Sequence, residues 1–161
     1  MSFEKDIERG KTGEDIAAVY LKHQHKAYHI DRVNGLHPEW DLVAHMPGKL
    51  KTIEVKTDFR EIETGNIAIE FLHRNKPSAI LWSLAHWYVF VLENRVLCMK
   101  KRDLFKYLRE NDFKIINGGN SDMSTFWLVP SKDLEAQDYV DVWYYAVKNN
   151  KVKEANLSDF A

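Results

Sequence analysis

Two carboxylates and an amine stand at a spacing that can do chemistry. Asp41 is followed, after twelve intervening residues, by Glu54-Val55-Lys56. On two antiparallel strands of one hairpin, Asp41 and Glu54 would lie near each other across the ladder. Side chains alternate along a strand, so Glu54 and Lys56 share one face while Ile53 and Val55 point to the other. Carboxylate oxygens favour hard divalent cations such as Mg2+ or Mn2+, which keep several waters and also take substrate phosphate. Asp41 and Glu54 are therefore candidate metal ligands, with the main-chain carbonyl of Val55 completing the shell. A metal held there polarises a phosphoryl oxygen and lowers the pKa of an attached water. Lys56 would orient or deprotonate that water and balance charge on the pentacovalent centre. The set suits hydrolysis of a phosphodiester.

Glu14 adds a further carboxylate. On a helix it has Ala17, Ala18 and Leu21 at i+3, i+4 and i+7, a flank of small and apolar residues on which an acid calls for a partner. It is a candidate for a second metal position, reached directly or through water. Its place near the start of a helix, where the dipole favours an acid, is the plainer alternative.

Glu14, Asp41, Glu54 and Lys56 together resemble the PD-(D/E)XK nuclease superfamily, with its restriction-endonuclease-like fold. Gly13-Glu14 is similar to the family's first acidic position. Asp41, with Pro38 three residues earlier, is similar to the Asp of its PD motif, and Glu54-Val55-Lys56 to its (D/E)xK. Thr64-Gly65-Asn66-Ile67-Ala68-Ile69-Glu70 resembles a segment of phage-type and Holliday-junction-resolvase-like members. So does Ser78-Ala79-Ile80 leading to Ala85-His86-Trp87-Tyr88-Val89-Phe90, with His86 standing where those members often carry an acid. The resemblance spans residues 11–92. It implies a central mixed sheet of about four strands flanked by helices, an α/β (α+β) domain, and Mg2+- or Mn2+-dependent cleavage of DNA, as an endonuclease. Glu70 would be accessory.

These residues need elements to hold them. Thr12 and Asp15 make a capping pattern, so a helix is expected from Thr12 to about His23, after a frayed charged lead-in over residues 1–10. Strands are expected at Tyr28–Val33, Asp41–His45 and Leu50–Thr57, the last two joined by a four-residue loop at Met46–Lys49, and at Asn66–Phe71. Asn34-Gly35 and His37-Pro38 mark a turn. Trp87–Leu92 and Val96–Met99 read as a hairpin, and Arg102–Glu110 as a helix. Asn117–Asn120 reads as a loop, Phe126–Val129 as a short strand, and Ser131 as the cap of a short helix. Tyr139–Val147 fits a strand or a short helix.

Composition sets the bounds. The chain has 161 residues, 45% apolar, and a formal net charge of −1. That is one domain's worth, with enough apolar side chain for a core, and it excludes a polybasic protein that binds nucleic acid by bulk charge. The positive balance is local, because residues 71–110 hold eight basic and three acidic side chains. Arg74, Lys76, Lys100, Lys101 and Arg102 are the candidate phosphate contacts. Trp82, Trp87, Trp127 and Trp143 are core side chains before they are base-stacking platforms. The single cysteine, Cys98, allows no intrachain disulfide and points to a reducing compartment, the cytoplasm; the family resemblance implies that of a bacterial, archaeal or phage-infected cell. No apolar run is long enough for a membrane span. Cutting both strands of a duplex with one site per chain calls for two chains, so a homodimer is the expectation. A non-catalytic nucleic-acid-binding or protein-interaction module that keeps the fold is the alternative reading.

Overall fold

The structure, a computed structural model, describes residues 3–34, 39–119 and 123–160, with side chains from Thr12 onward. Gly35, His37, Pro38 and Asn120 lie outside the described residues.

Helix α1 (Phe3–His25) leads into strands β1 (His29–Arg32), β2 (Leu42–Met46) and β3 (Lys49–Thr57). Next come the one-turn helix α2 (Glu61–Thr64), β4 (Asn66–His73), the two-residue β5 (Lys76–Pro77), a 3-10 turn at Ala79–Leu81, and β6 (Trp87–Val91). The remainder is β7 (Arg95–Lys100), α3 (Lys101–Glu110), β8 (Lys114–Gly118), β9 (Ser124–Pro130), α4 (Ser131–Glu135), β10 (Asp141–Lys148) and β11 (Lys151–Glu154), with a closing 3-10 turn at Leu157–Phe160.

The strands form two sheets. One has seven strands in the order β1-β2-β3-β6-β7-β10-β11, and the other has four in the order β5-β4-β9-β8. Only β3 and β6 run parallel among the described pairs, so the larger sheet is mixed. The fold is α+β. The seven-stranded sheet and the separate second sheet replace the expected sheet of about four strands.

Packing follows from alternation. One face of the larger sheet carries Ile53, Val55, Val89, Val91, Cys98 and Trp143 and is covered by Ile16, Ala17, Tyr20 and Leu21 of α1. The other face carries Tyr88, Phe90, Leu97 and Met99. It is covered by Leu104 and Leu108 of α3, Ile67 and Ile69 of β4, Val129 of β9 and Leu134 of α4. Strand β6 is thus buried on both faces, which is why Trp87-Tyr88-Val89-Phe90-Val91 reads as an unbroken apolar run. Cys98 is buried as expected. No helix among the described residues is long and apolar enough to cross a membrane.

Several boundaries differ from the sequence expectation. Helix α1 starts at Phe3, so Thr12 is helical interior rather than the start of the helix. Strong helix formers upstream (Glu4, Lys5, Glu8, Arg9) outweigh the local capping pattern. The β2–β3 ladder closes at Met46 opposite Lys49, leaving a two-residue turn in which Gly48 takes a φ of 72°. Ser131 does not cap α4 with its side chain; its hydroxyl donates to Glu61 instead. The Tyr139–Val147 segment resolves into strand β10, paired with β7.

Gly13 sets how closely α1 approaches β3. A Cβ there would collide with the Thr57 side chain, hydroxyl first. Gly13→Val is expected to destabilise the protein by about 1–3 kcal/mol, the usual cost of overpacking. Urea denaturation measures it, and an unchanged midpoint would mean that the helix can lift off β3 freely.

Candidate active site

The hairpin reading of Asp41 and Glu54 holds. Leu42 pairs with Ile53, and the Asp41 amide donates to the Ile53 carbonyl at 2.9 Å, so Asp41 stands where the β2 ladder stops, at the level of Glu54. Its carboxylate then continues the pairing, as Oδ2 accepts the Val55 N–H at 2.8 Å. In an antiparallel ladder a residue's N–H and C=O leave the strand on the same side. The Val55 carbonyl therefore faces the same edge as the Asp41 carboxylate.

Glu54 and Lys56 share the face of β3 that carries Tyr88 and Phe90 on neighbouring β6. The Lys56 ammonium lies 3.1 Å from Glu54 Oε1. The Glu54 side chain is 11% exposed and that of Lys56 44%, so the acid is sunk at the base of a cleft and the amine reaches out of it. Burial raises the pKa of Glu54 above the usual carboxylate range; Lys56 opposes this, and the Asp41 charge adds to it. Asp41 is also raised, by burial, against the Val55 hydrogen bond and Lys56. Burial acts to lower Lys56, but Glu54, Asp41 and Glu70 outweigh it and hold the ammonium above its ordinary value. A buried carboxylate and a half-buried one whose charge works against it, beside one ammonium, form an acid-rich site, the kind that gains from a further cation.

Two elements distant in sequence close the site. Strand β4 brings Glu70, whose Oε2 accepts the Ser78 hydroxyl at 2.9 Å, within electrostatic reach of Lys56. The start of α3 brings Lys101. Its ammonium donates to the Ser83 carbonyl, and burial lowers its pKa while Glu54 opposes that shift. Tyr88 is buried beside Glu54, and among the described residues its hydroxyl has no hydrogen bond of ordinary geometry. The resulting cleft, of about 890 Å³, is lined by Glu39, Glu54, Lys56, Glu70, Lys76 and Trp82, among others.

Of the residues singled out by sequence, Asp41, Glu54 and Lys56 converge, and Glu70 and Lys101 join them. Glu14 is half-buried on α1, one residue past the crossing of Gly13 over Thr57, itself next to Lys56. Lys76 lines the cleft, whereas Arg74 is exposed on the β4–β5 turn and Lys100 and Arg102 are exposed where β7 meets α3. Comparison of the chain with known protein families, curated proteins and solved structures finds no match. The site's own geometry therefore carries the functional reading.

Sequence reasoning missed three features. Lys101 sits in a basic triplet and reads as a surface cation; the parallel pairing of β6 with β3, and the Lys101 amide donating to the His86 carbonyl at the start of β6, bring it toward Glu54. His86 has a structural task. Its Nδ1 accepts the Thr52 amide at 3.0 Å, and its own amide donates to the Thr52 carbonyl, so it ties the start of β6 to β3. Because Nδ1 is an acceptor, the neutral ring carries its proton on Nε2. Trp82 is 68% exposed at the rim of the cleft, while Trp87 and Trp143 are core as expected and Trp127 stacks on Phe71 with centroids 4.0 Å apart.

Proposed function

We propose that this chain is a Mg2+- or Mn2+-dependent DNA endonuclease of PD-(D/E)XK type, hydrolysing phosphodiester bonds in the cleft between β3 and β4. The observation that carries this reading is the convergence of Asp41, Glu54 and Lys56 at the end of the β2–β3 ladder. The donor set fits the metal, with a buried and a half-buried carboxylate side by side, both of raised pKa, and a strand carbonyl, Val55, turned toward them. Asp41, Glu54 and the Val55 carbonyl would hold the ion, with Glu14 at a second position or linked through water. The ion supplies a polarised phosphoryl oxygen and a water of lowered pKa. Lys56, tethered to Glu54, orients that water and offsets the negative charge that develops at phosphorus. Lys101 adds a second positive charge within electrostatic reach of Glu54, and Glu70 would be accessory, within reach of Lys56. Arg74, Lys76, Lys100 and Arg102 would meet backbone phosphates away from the scissile bond.

Incubation with supercoiled, linear, single-stranded and branched DNA in Mg2+ or Mn2+ tests the reading. Cleavage is expected on at least one substrate and is lost in Glu54→Ala and Lys56→Ala. Inactivity on all of them, or cleavage that survives both substitutions, overturns it. Salt-sensitive binding without cleavage or metal requirement would assign the cleft to a non-catalytic DNA-binding module.

The exposed indole at the rim should contribute through stacking on an unpaired or displaced base. Trp82→Ala is expected to weaken single-stranded DNA binding by about 1–3 kcal/mol, without changing metal binding. Fluorescence anisotropy with labelled DNA in Ca2+ measures it, and unaltered affinity removes Trp82 from the interface.

A further inference from the structure

A second cluster lies away from the cleft, on the hairpin formed by β1 and β2. His29 and His45 are directly opposed in the ladder, and Asp31 is two residues along β1 on the face of His29. The ring contacts are close, with His29 and His45 centroids 5.2 Å apart. Each ring directs its Nε2 at the same carboxylate: His29 Nε2 lies 2.7 Å from Asp31 Oδ1, and His45 Nε2 lies 2.7 Å from Asp31 Oδ2. The two nitrogens and a carboxylate oxygen all fall within 4.8 Å of one another, and no other such three-residue group of His, Cys, Asp or Glu occurs among the described residues.

We infer that His29, Asp31 and His45 form a binding site for a divalent transition-metal cation of the Zn2+ class. Both imidazoles present the same nitrogen to one carboxylate, so three donor atoms already meet at one point. Two imidazole nitrogens with one carboxylate oxygen is a donor set that suits Zn2+, Co2+, Ni2+ or Cu2+ and is too nitrogen-rich for Mg2+. The register of the hairpin presets the three donors. Without metal, each neutral ring donates its Nε2 proton to Asp31. On binding, each ring keeps one proton but carries it on Nδ1, freeing the Nε2 lone pair, and Asp31 changes from acceptor to ligand. His29 and Asp31 are largely exposed, so remaining coordination positions open to water or to a ligand from outside.

The site has a structural consequence. Strand β1 is only four residues long and stands at the edge of its sheet, paired with β2 alone. The residue after it, Val33, donates its amide to the Asp41 carbonyl at 2.9 Å. A cation bridging His29 and His45 would therefore pin the edge strand whose exit supports Asp41. The inference rests on donors that the proposed nuclease site does not use, so either can fail alone.

Isothermal titration of the full chain with Zn2+, and the visible spectrum of its Co2+ form, test the site. One Zn2+ per chain is expected at this site, counted in the Glu54→Gln background because the carboxylate pair of the cleft would take Zn2+ as well. Loss of an outer partner of a metal ligand commonly costs about 10–100-fold in affinity, so loss of a ligand in His29→Ala or His45→Ala should cost at least as much. Asp31→Asn should weaken binding as well. His23→Ala should leave it unchanged. X-ray absorption on Zn2+-loaded wild-type protein, which needs no variant, should show two imidazoles around the metal. No binding, a spectrum without imidazole, affinity that survives His29→Ala and His45→Ala, or binding abolished by Glu54→Gln alone would each overturn the site.

Discussion

Glu54→Gln is expected to reduce metal-dependent DNA cleavage by about 10²–10⁴-fold, the range lost when a group that handles charge or protons is removed from a transition state. The same substitution should leave the metal-free protein as stable as wild type or more so. The two outcomes have one cause. Glu54 is buried, and both that burial and the Asp41 charge work against its ionised form. Lys56 offsets part of this across 3.1 Å, from a half-exposed position. Gln keeps the shape and removes the charge, which relieves Asp41 and releases Lys56 to Glu70. Without metal the fold therefore loses little. With metal the signs separate. Mg2+ or Mn2+ should raise the melting temperature of wild type by mass action and leave that of Glu54→Gln where it was. Thermal melts with and without metal, run beside the cleavage assay, check both. A variant that is inactive and also markedly destabilised without metal would make Glu54 a structural residue. A variant that still cleaves at the wild-type rate would remove the acid from the chemistry.

How far the sequence reveals this site depends on the range of the interactions. Asp41 and Glu54 could be placed together because one short turn joins their strands, and the alternation of a single strand put Glu54 and Lys56 on one face. Both inferences use local rules. The two-residue turn, in place of a four-residue loop, did not disturb them, because Leu42 still pairs with Ile53. Lys101, Glu70 and Tyr88 could not be placed in that way. Lys101 reaches Glu54 because β6, with the end of its hairpin partner β7, lies parallel beside β3, and Glu70 reaches Lys56 through β4, whose main neighbour is the distant β9. Pairings of that kind leave no signature in a window of ten or fifteen residues. The second sheet escaped for the same reason. Strand β8, Lys-Ile-Ile-Asn-Gly, is mostly exposed and looks like a loop. It becomes a strand because β9 lies beside it.

Arg95→Ala should be the most destabilising single change outside the apolar core, at about 3–5 kcal/mol near neutral pH. Arg95 sits at the start of β7 and is 9% exposed; Glu61, on α2, is 5% exposed. The guanidinium grips Glu61 with two bonds, Nη2 to Oε1 at 2.8 Å and Nη1 to Oε2 at 3.2 Å. Its Nε donates to Glu135 at 2.6 Å and its Nη1 to Asn94 Oδ1 at 3.0 Å. Ser131 donates to Glu61 as well. One arginine thus joins the larger sheet to α2 and to α4. Its removal leaves Glu61 as a buried anion with only a hydroxyl to answer it. The pH dependence identifies the cause. Burial alone would raise the Glu61 pKa, but hydrogen bonds from Arg95 and Ser131, with the Arg95 charge, outweigh it and hold the carboxyl below its ordinary value. A depressed carboxyl contributes stability that is fully present above its unfolded pKa of about 4.3, and this is lost as pH falls through the lower folded value. In Arg95→Ala the burial acts unopposed by the arginine, so the folded pKa of Glu61 should rise. That variant should then regain relative stability on acidification, as Glu61 takes up a proton. The gap between wild type and variant is expected to be widest near pH 7 and to narrow below about pH 4. Urea unfolding of both proteins at the two pH values measures it. An equal gap at both would mean that Arg95 acts by packing its aliphatic stem rather than by holding Glu61.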